Sequence, residues 1–167
     1  SFVLPAQELL WEVQTGNQYA GAAPFFGDLD GDGTDDLLSV YYRDPFTLSE
    51  VLFLRIESGA DGTVLFQRQP PPGSLAELQG VGDFDGDGYP DYAVTTSIGA
   101  FNTMYVRVWS PRRDMELLLI TGAQSEWFGG SVAGDVDLDG DGLPDLLIGS
   151  DGPRGSDVKA YSHTGAL

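Results

Sequence analysis

DLDGDGTDD (28–36), DFDGDGYPD (83–91) and DLDGDGLPD (137–145) are one nine-residue pattern written three times. Each copy carries Asp at positions one, three, five and nine, with Gly at four and six. Successive copies begin 55 and 54 residues apart, a period that points to a repeated structural unit rather than an isolated motif. The repeat reaches beyond the acidic loop. In the apolar runs VLFLRIE, MYVRVWS and VKAYSH, the cations Arg55, Arg107 and Lys159 fall 52 residues apart each time.

The residues around each loop read as strands. DLLSVYY (36–42), DYAVTTS (91–97) and DLLIGS (145–150) are short, apolar and bounded by turn residues, leaving no room for a helix. In the next run Met104, Val106 and Val108 alternate with Tyr105, Arg107 and Trp109, as in a strand with one drier face. A further strand is expected in GADGTVLFQRQ (59–69), where Asp61-Gly62 signals a hairpin, in RRDMELLLITG (112–122), and by pattern in ELLWEVQTG (8–16). Each unit therefore reads as four strands: outer, inner, second and third, with the acidic loop joining inner to second. This predicts an all-β chain forming one region, 1–167, of three four-stranded antiparallel repeats at approximately 7–58, 59–111 and 112–167.

Composition agrees and excludes some partners. The 41% hydrophobic and 11% aromatic content of 167 residues supports a packed core. A net charge of −18 would be repelled by nucleic acid and by anionic membrane surfaces. Twelve of the 26 acidic residues stand at positions one, three, five and nine of the three loops, so the pattern accounts for most of the acidity. With no cysteine there is neither a disulfide framework nor a thiolate metal site. No apolar run approaches the ~18 residues of a membrane span, and SFVLPAQELL lacks the basic start of a signal peptide, as expected of a mature or excised chain.

Alternating aspartates gather hard oxygen ligands around one point, while the glycines permit positive φ. Such density suits calcium, which takes about six to eight oxygens at roughly 2.3–2.6 Å; magnesium, with its strict octahedron and retained waters, is the weaker candidate. The backbone carbonyl at position seven, on Thr34, Tyr89 or Leu143, would add a ligand. An EF-hand would require a bidentate Glu at position twelve, where this chain has Ser39, Val94 and Ile148. A plain Asp-Gly turn needs one aspartate, and mutual repulsion would penalise the other three. A salt-adapted surface would scatter its acids rather than register them.

The third unit, FGGSVAGDVDLDGDGLPDLLIGSDG (128–152), resembles the FG-GAP and VCBS-type repeats of integrin α-subunit β-propellers and bacterial surface proteins. The match runs from Phe128-Gly129 through the loop to Gly149, with Ser150-Asp151 in place of Ala-Pro; the first two units open more loosely. The resemblance implies that each repeat is a propeller blade binding one calcium. Its ligands would be Asp28, Asp30, Asp32, Thr34 and Asp36; Asp83, Asp85, Asp87, Tyr89 and Asp91; and Asp137, Asp139, Asp141, Leu143 and Asp145. It also implies an extracellular or cell-surface module that recognises protein or carbohydrate without catalysis.

The alternative is the propeller portion of a secreted hydrolase or lyase. For it the sequence offers His163, which the turn SHTG suggests is exposed, and the isolated acids Glu8, Glu12 and Glu126, expected to be solvated. Trp11, Trp109 and Trp127 are expected to pack between blades rather than form a sugar platform. Propellers typically have four to eight blades, so three are expected to form an arc of a larger ring or half of an assembly of two copies. The expected outer strand at 8–14 would then complete a preceding blade.

Overall fold

The computed structural model describes residues 20–43, 51–98, 103–123, 126–153 and 155–165. Eleven strands are present among them: β1 (Ala20–Gly27), β2 (Asp36–Arg43), β3 (Val51–Glu57), β4 (Val64–Arg68), β5 (Ser74–Gly82), β6 (Asp91–Ile98), β7 (Thr103–Ser110), β8 (Met115–Thr121), β9 (Ser131–Val136), β10 (Asp145–Gly152) and β11 (Gly155–Tyr161). They form three antiparallel meanders ordered β1-β2-β3-β4, β5-β6-β7-β8 and β9-β10-β11. The fold is all-β, and each sheet is a propeller blade.

Each acidic loop joins the first strand of a sheet to the second, as the spacing predicts. All three of these strand pairs shift register beside the loop, between Ala23 and Gly27, Gly80 and Gly82, and Asp145 and Leu147. One extra residue on the first strand, or two in the first sheet, bends it there and redirects the chain into the loop. The first strands lie side by side, β5 contacting both β1 and β9, which brings the loops to the same end of neighbouring sheets.

The sheets are offset from the sequence units by one strand. The outer strand opening each sequence unit pairs with the third strand of the unit before: β4 with β3, and β8 with β7. The divisions at 58/59 and 111/112 therefore fall within sheets. A tight hairpin explains the first case: Ser58 N–H donates to Thr63 O (2.8 Å), Gly62 N–H donates to Ser58 O (2.8 Å), and Gly62 has φ 76°. The strand expected at 8–14, with Trp11, Glu8 and Glu12, lies outside the described residues.

Two cores hold the sheets together. Phe26, Leu29, Leu38, Leu54 and Ile56 of the first sheet and its loop pack on Tyr92 and Val94 of the second. Val81, Phe84, Ala93, Met104, Val106 and Val108 of the second pack on Phe128, Val132, Leu146 and Ile148 of the third. Packed on both sides, β6 is buried from Asp91 to Thr96, whereas β7 alternates as its sequence predicts. The repeated cations pair within their own sheets: Arg55 with Glu57 (3.2 Å), Arg107 with Glu116 (2.9 Å) and Lys159 with Asp157 (3.3 Å).

Register mates of these core residues on the third sheet lack such cover. Leu29 and Phe84 are buried at position two of their loops, while Leu138 is 51% exposed. Leu54 and Val106 are buried, while Val158 is 70% exposed.

Candidate metal centres

The three loops share one internal scaffold. Position one is an acceptor hub: Asp28 takes the N–H groups of Gly31, Asp32 and Gly33 (2.6, 3.2 and 2.8 Å), Asp83 those of Asp87 and Gly88 (both 2.8 Å), and Asp137 those of Gly140 and Gly142 (2.6 and 3.0 Å). Asp30, Asp85 and Asp139 accept from the amide of position five (3.0, 3.2 and 3.1 Å). Position five accepts in turn from the amide of Thr34, Tyr89 or Leu143 (2.8, 3.0 and 2.9 Å). The six glycines have φ between 71° and 92°. Five of them would place a Cβ in open space, so the requirement is conformational rather than steric.

Position nine opens the following strand and folds back on the loop. Asp36, Asp91 and Asp145 are buried, and one oxygen of each accepts from the amide of Leu29, Phe84 or Leu138 (2.7, 2.9 and 2.7 Å). The other oxygen of Asp36 accepts from Gly59 N–H at 3.1 Å. In Asp91 and Asp145 the corresponding Oδ1 is buried without an aligned hydrogen-bond partner, the Ser110 side chain near Asp91 only partly offsetting the burial of its carboxylate. A buried, unpartnered carboxylate oxygen is costly unless a cation takes it up, so the residues present fit a divalent metal. Carboxylates within 4.8 Å of one another converge in each loop: Asp28, Asp30 and Asp32; Asp83, Asp85 and Asp91; Asp137, Asp139 and Asp145.

The electrostatics differ from loop to loop. Asp28 is held below the usual carboxylate range, chiefly by the Gly33 amide. Burial pushes Asp36 up against the pull of the Leu29 and Gly59 amides. Asp91 rises to about 7, through burial first and then the charge of Asp85. Asp85 is itself raised by burial and Asp87, and Arg113 opposes the rise. Arg113 Nη1 lies 2.9 Å from Asp85 Oδ2, and its Nε 3.0 Å from Asp87 Oδ2. The contact to Asp85 lacks hydrogen-bond alignment, leaving Oδ2 without a hydrogen-bond donor.

His163 departs from expectation. It is half-buried, with Nδ1 3.1 Å from Asp141 Oδ2 in the third loop, because the turn after β11 folds toward that loop. Glu126 is half-buried rather than fully solvated. Trp109 packs with the core between the first two sheets, beneath the Arg68 guanidinium at 3.7 Å. Trp127 instead is 66% exposed, beside a hollow of about 490 Å³ that also takes in Ser131, Asp151 and Val158 on the uncovered face of the third sheet.

The Phe-Gly element has a physical reading. Phe128 is 2% exposed, plugged into the core between the second and third sheets and edge-on to Tyr161 with 6.4 Å between ring centroids. Gly129 (φ 74°) would drive a Cβ to 2.5 Å from Val106, and its N–H donates to Gly149 O at 2.9 Å. Thus the glycine of the opening pair is tied to the glycine after the loop. Residues 128–165 match the FG-GAP repeat family. Integrin alpha pat-2 of Caenorhabditis briggsae is 28% identical over 169 aligned residues, covering 83% of this chain and 14% of that protein. The third sheet carries an FG-GAP repeat, and the chain is similar to integrin alpha chains. Integrin alpha-6 of Gallus gallus is 34% identical over 77 residues, covering 44% of the chain and 7% of that protein. The chain thus spans a seventh or less of the length of either relative. Among its described residues no helix is long and apolar enough to cross a membrane.

Proposed function

We propose that the chain is a non-catalytic, calcium-stabilised recognition module, working outside the cell or at its surface in adhesion to a protein or carbohydrate ligand. The observation that carries the calcium reading is the pair of buried, unpartnered oxygens, Asp91 Oδ1 and Asp145 Oδ1, in loops where two further carboxylates converge. Each ion would be held by the carboxylates at positions one, three, five and nine with the carbonyl at seven, giving three sites. When bound, calcium supplies the counter-charge that lets a loop keep four carboxylates together. The amide scaffold, left-handed glycines and strand-anchored position nine hold the oxygens in place meanwhile.

Similarity to integrin alpha chains supports the adhesion reading and the location. The hydrolase or lyase alternative gains nothing from His163, whose Nδ1 faces Asp141. The open face of the third sheet, with Leu138 and Val158 exposed where their register mates are buried, fits another sheet of the same kind, from a longer chain or a second copy. Thermal unfolding tests the calcium reading. Melting should rise in millimolar calcium relative to chelator, with dissociation constants of about 10⁻⁴ to 10⁻³ M as in other extracellular modules. An identical melting temperature in both conditions overturns it. A screen against glycans and candidate protein ligands, with polysaccharide hydrolysis as the counter-assay, tests the recognition role.

A further inference from the structure

Three turns related by the 52-residue spacing approach the three loops, and one of their register positions bears on the loop carboxylates. Taking the 52-residue spacing of Arg55, Arg107 and Lys159, Arg113 corresponds to Asp61 in the first unit and Gly165 in the third. Only the second of these three positions carries a cation, and its guanidinium reaches two loop carboxylates, Asp85 at 2.9 Å and Asp87 at 3.0 Å. The turn bearing it is fixed independently. Arg113 N–H donates to Ser110 Oγ (3.3 Å), the Arg112 guanidinium lies 4.4 Å from the Tyr89 ring centroid, and Asp114 pairs with Arg68 of the first sheet at 3.0 Å.

Two features make this grip releasable. The Arg113 side chain is 46% exposed, so its charge can return to water at little cost. Its approach leaves Asp85 Oδ2 without an aligned donor, an oxygen still open to a better partner. A calcium ion and a guanidinium compete for these carboxylates, because both neutralise the same negative charge and repel each other at contact distance.

We propose that Arg113 is an internal counter-cation of the second loop: it occupies Asp85 and Asp87 when no metal is there and is displaced by calcium, which makes this loop the weakest of three sites. The proposal rests on the calcium reading above. It makes the middle blade a site that fills after its neighbours as calcium rises. It also gives the second loop a shape that survives calcium withdrawal, because the neutralising charge comes from the chain itself.

Site-resolved binding separates the two ideas. In a calcium titration followed by two-dimensional NMR of amide groups, Gly33, Gly88 and Gly142 report the first, second and third loops respectively. In the wild-type chain Gly88 should respond at the highest calcium concentration. Arg113→Ala should lower the Gly88 midpoint by about 3- to 30-fold, the range expected for removing two partly exposed ion pairs, and leave Gly33 and Gly142 unchanged. Arg113→Gln, which keeps the length of the side chain and drops its charge, should do the same. In chelator, both variants should speed hydrogen exchange at Gly88. A Gly88 midpoint that stays put or rises in both variants, while all three glycines respond to calcium, overturns the proposal and leaves the calcium reading intact. No response at any glycine in the wild type removes both. Unchanged Gly33 and Gly142 signals show that the variants are folded.

Discussion

The second and third acidic loops differ in sequence only at positions two and seven, yet they occupy unlike surroundings. Phe84 of the second is buried in the core shared with the third sheet, whereas Leu138 of the third is 51% exposed. The side chains of Asp85 and Asp87 are 11% and 9% exposed, against 36% for Asp141. The second loop has two arginines over it and the third has one histidine. The lesson is that the nine residues determine how the loop folds, while the neighbouring sheet determines how wet and how charged it is.

Packing should show the difference most strongly. Phe84→Ala removes a buried ring and should cost about 3–5 kcal/mol in urea unfolding, whereas Leu138→Ala should stay within about 0.5 kcal/mol. Equal costs would mean that the outer face of the third sheet is covered in solution.

Ligand removal comes next. Asp30→Ala, Asp85→Ala and Asp139→Ala should each weaken one calcium site by more than about tenfold and leave the other two, since repeats couple mainly to their neighbours. Site-resolved titration would contradict this if one substitution in a folded variant abolished all binding.

The smaller contrast is in pH. Asp91 has a folded pKa of about 7, above its ordinary value of 3.8. Well below pH 3.8 it is protonated in both folded and unfolded chains and contributes nothing; as pH rises from there to about 7 the metal-free fold loses stability, because the unfolded chain ionises first. Calcium requires the ionised form, so the affinity of the second loop should fall about tenfold from pH 8 to pH 6. A titration at the two pH values in which the second site does not change relative to the first would contradict the account.

Much of this was legible in the chain. Strands β2, β6 and β10 start at position nine, where the pattern ends, because that aspartate must both enter the sheet and fold back on the loop. The left-handed glycines and the buried face of β7 follow directly from residue type and alternation. The phase of the sheets was harder to read: β4 joins β3 through backbone hydrogen bonds, which leave no mark on side-chain pattern. Trp127 shows the same limit in another form, since a tryptophan's sequence neighbours do not reveal whether a sheet lies across from it. Nothing in RRDM marks Arg113 as a partner of Asp85; that contact needs the hairpin that folds 28 residues of chain back over the loop.

Isothermal calorimetry with calcium on the whole chain at pH 8 decides whether the three loops are metal sites. Saturable binding with a stoichiometry of three is expected, reduced to two by Asp139→Ala. No binding heat, together with no calcium retained in equilibrium dialysis, would contradict it.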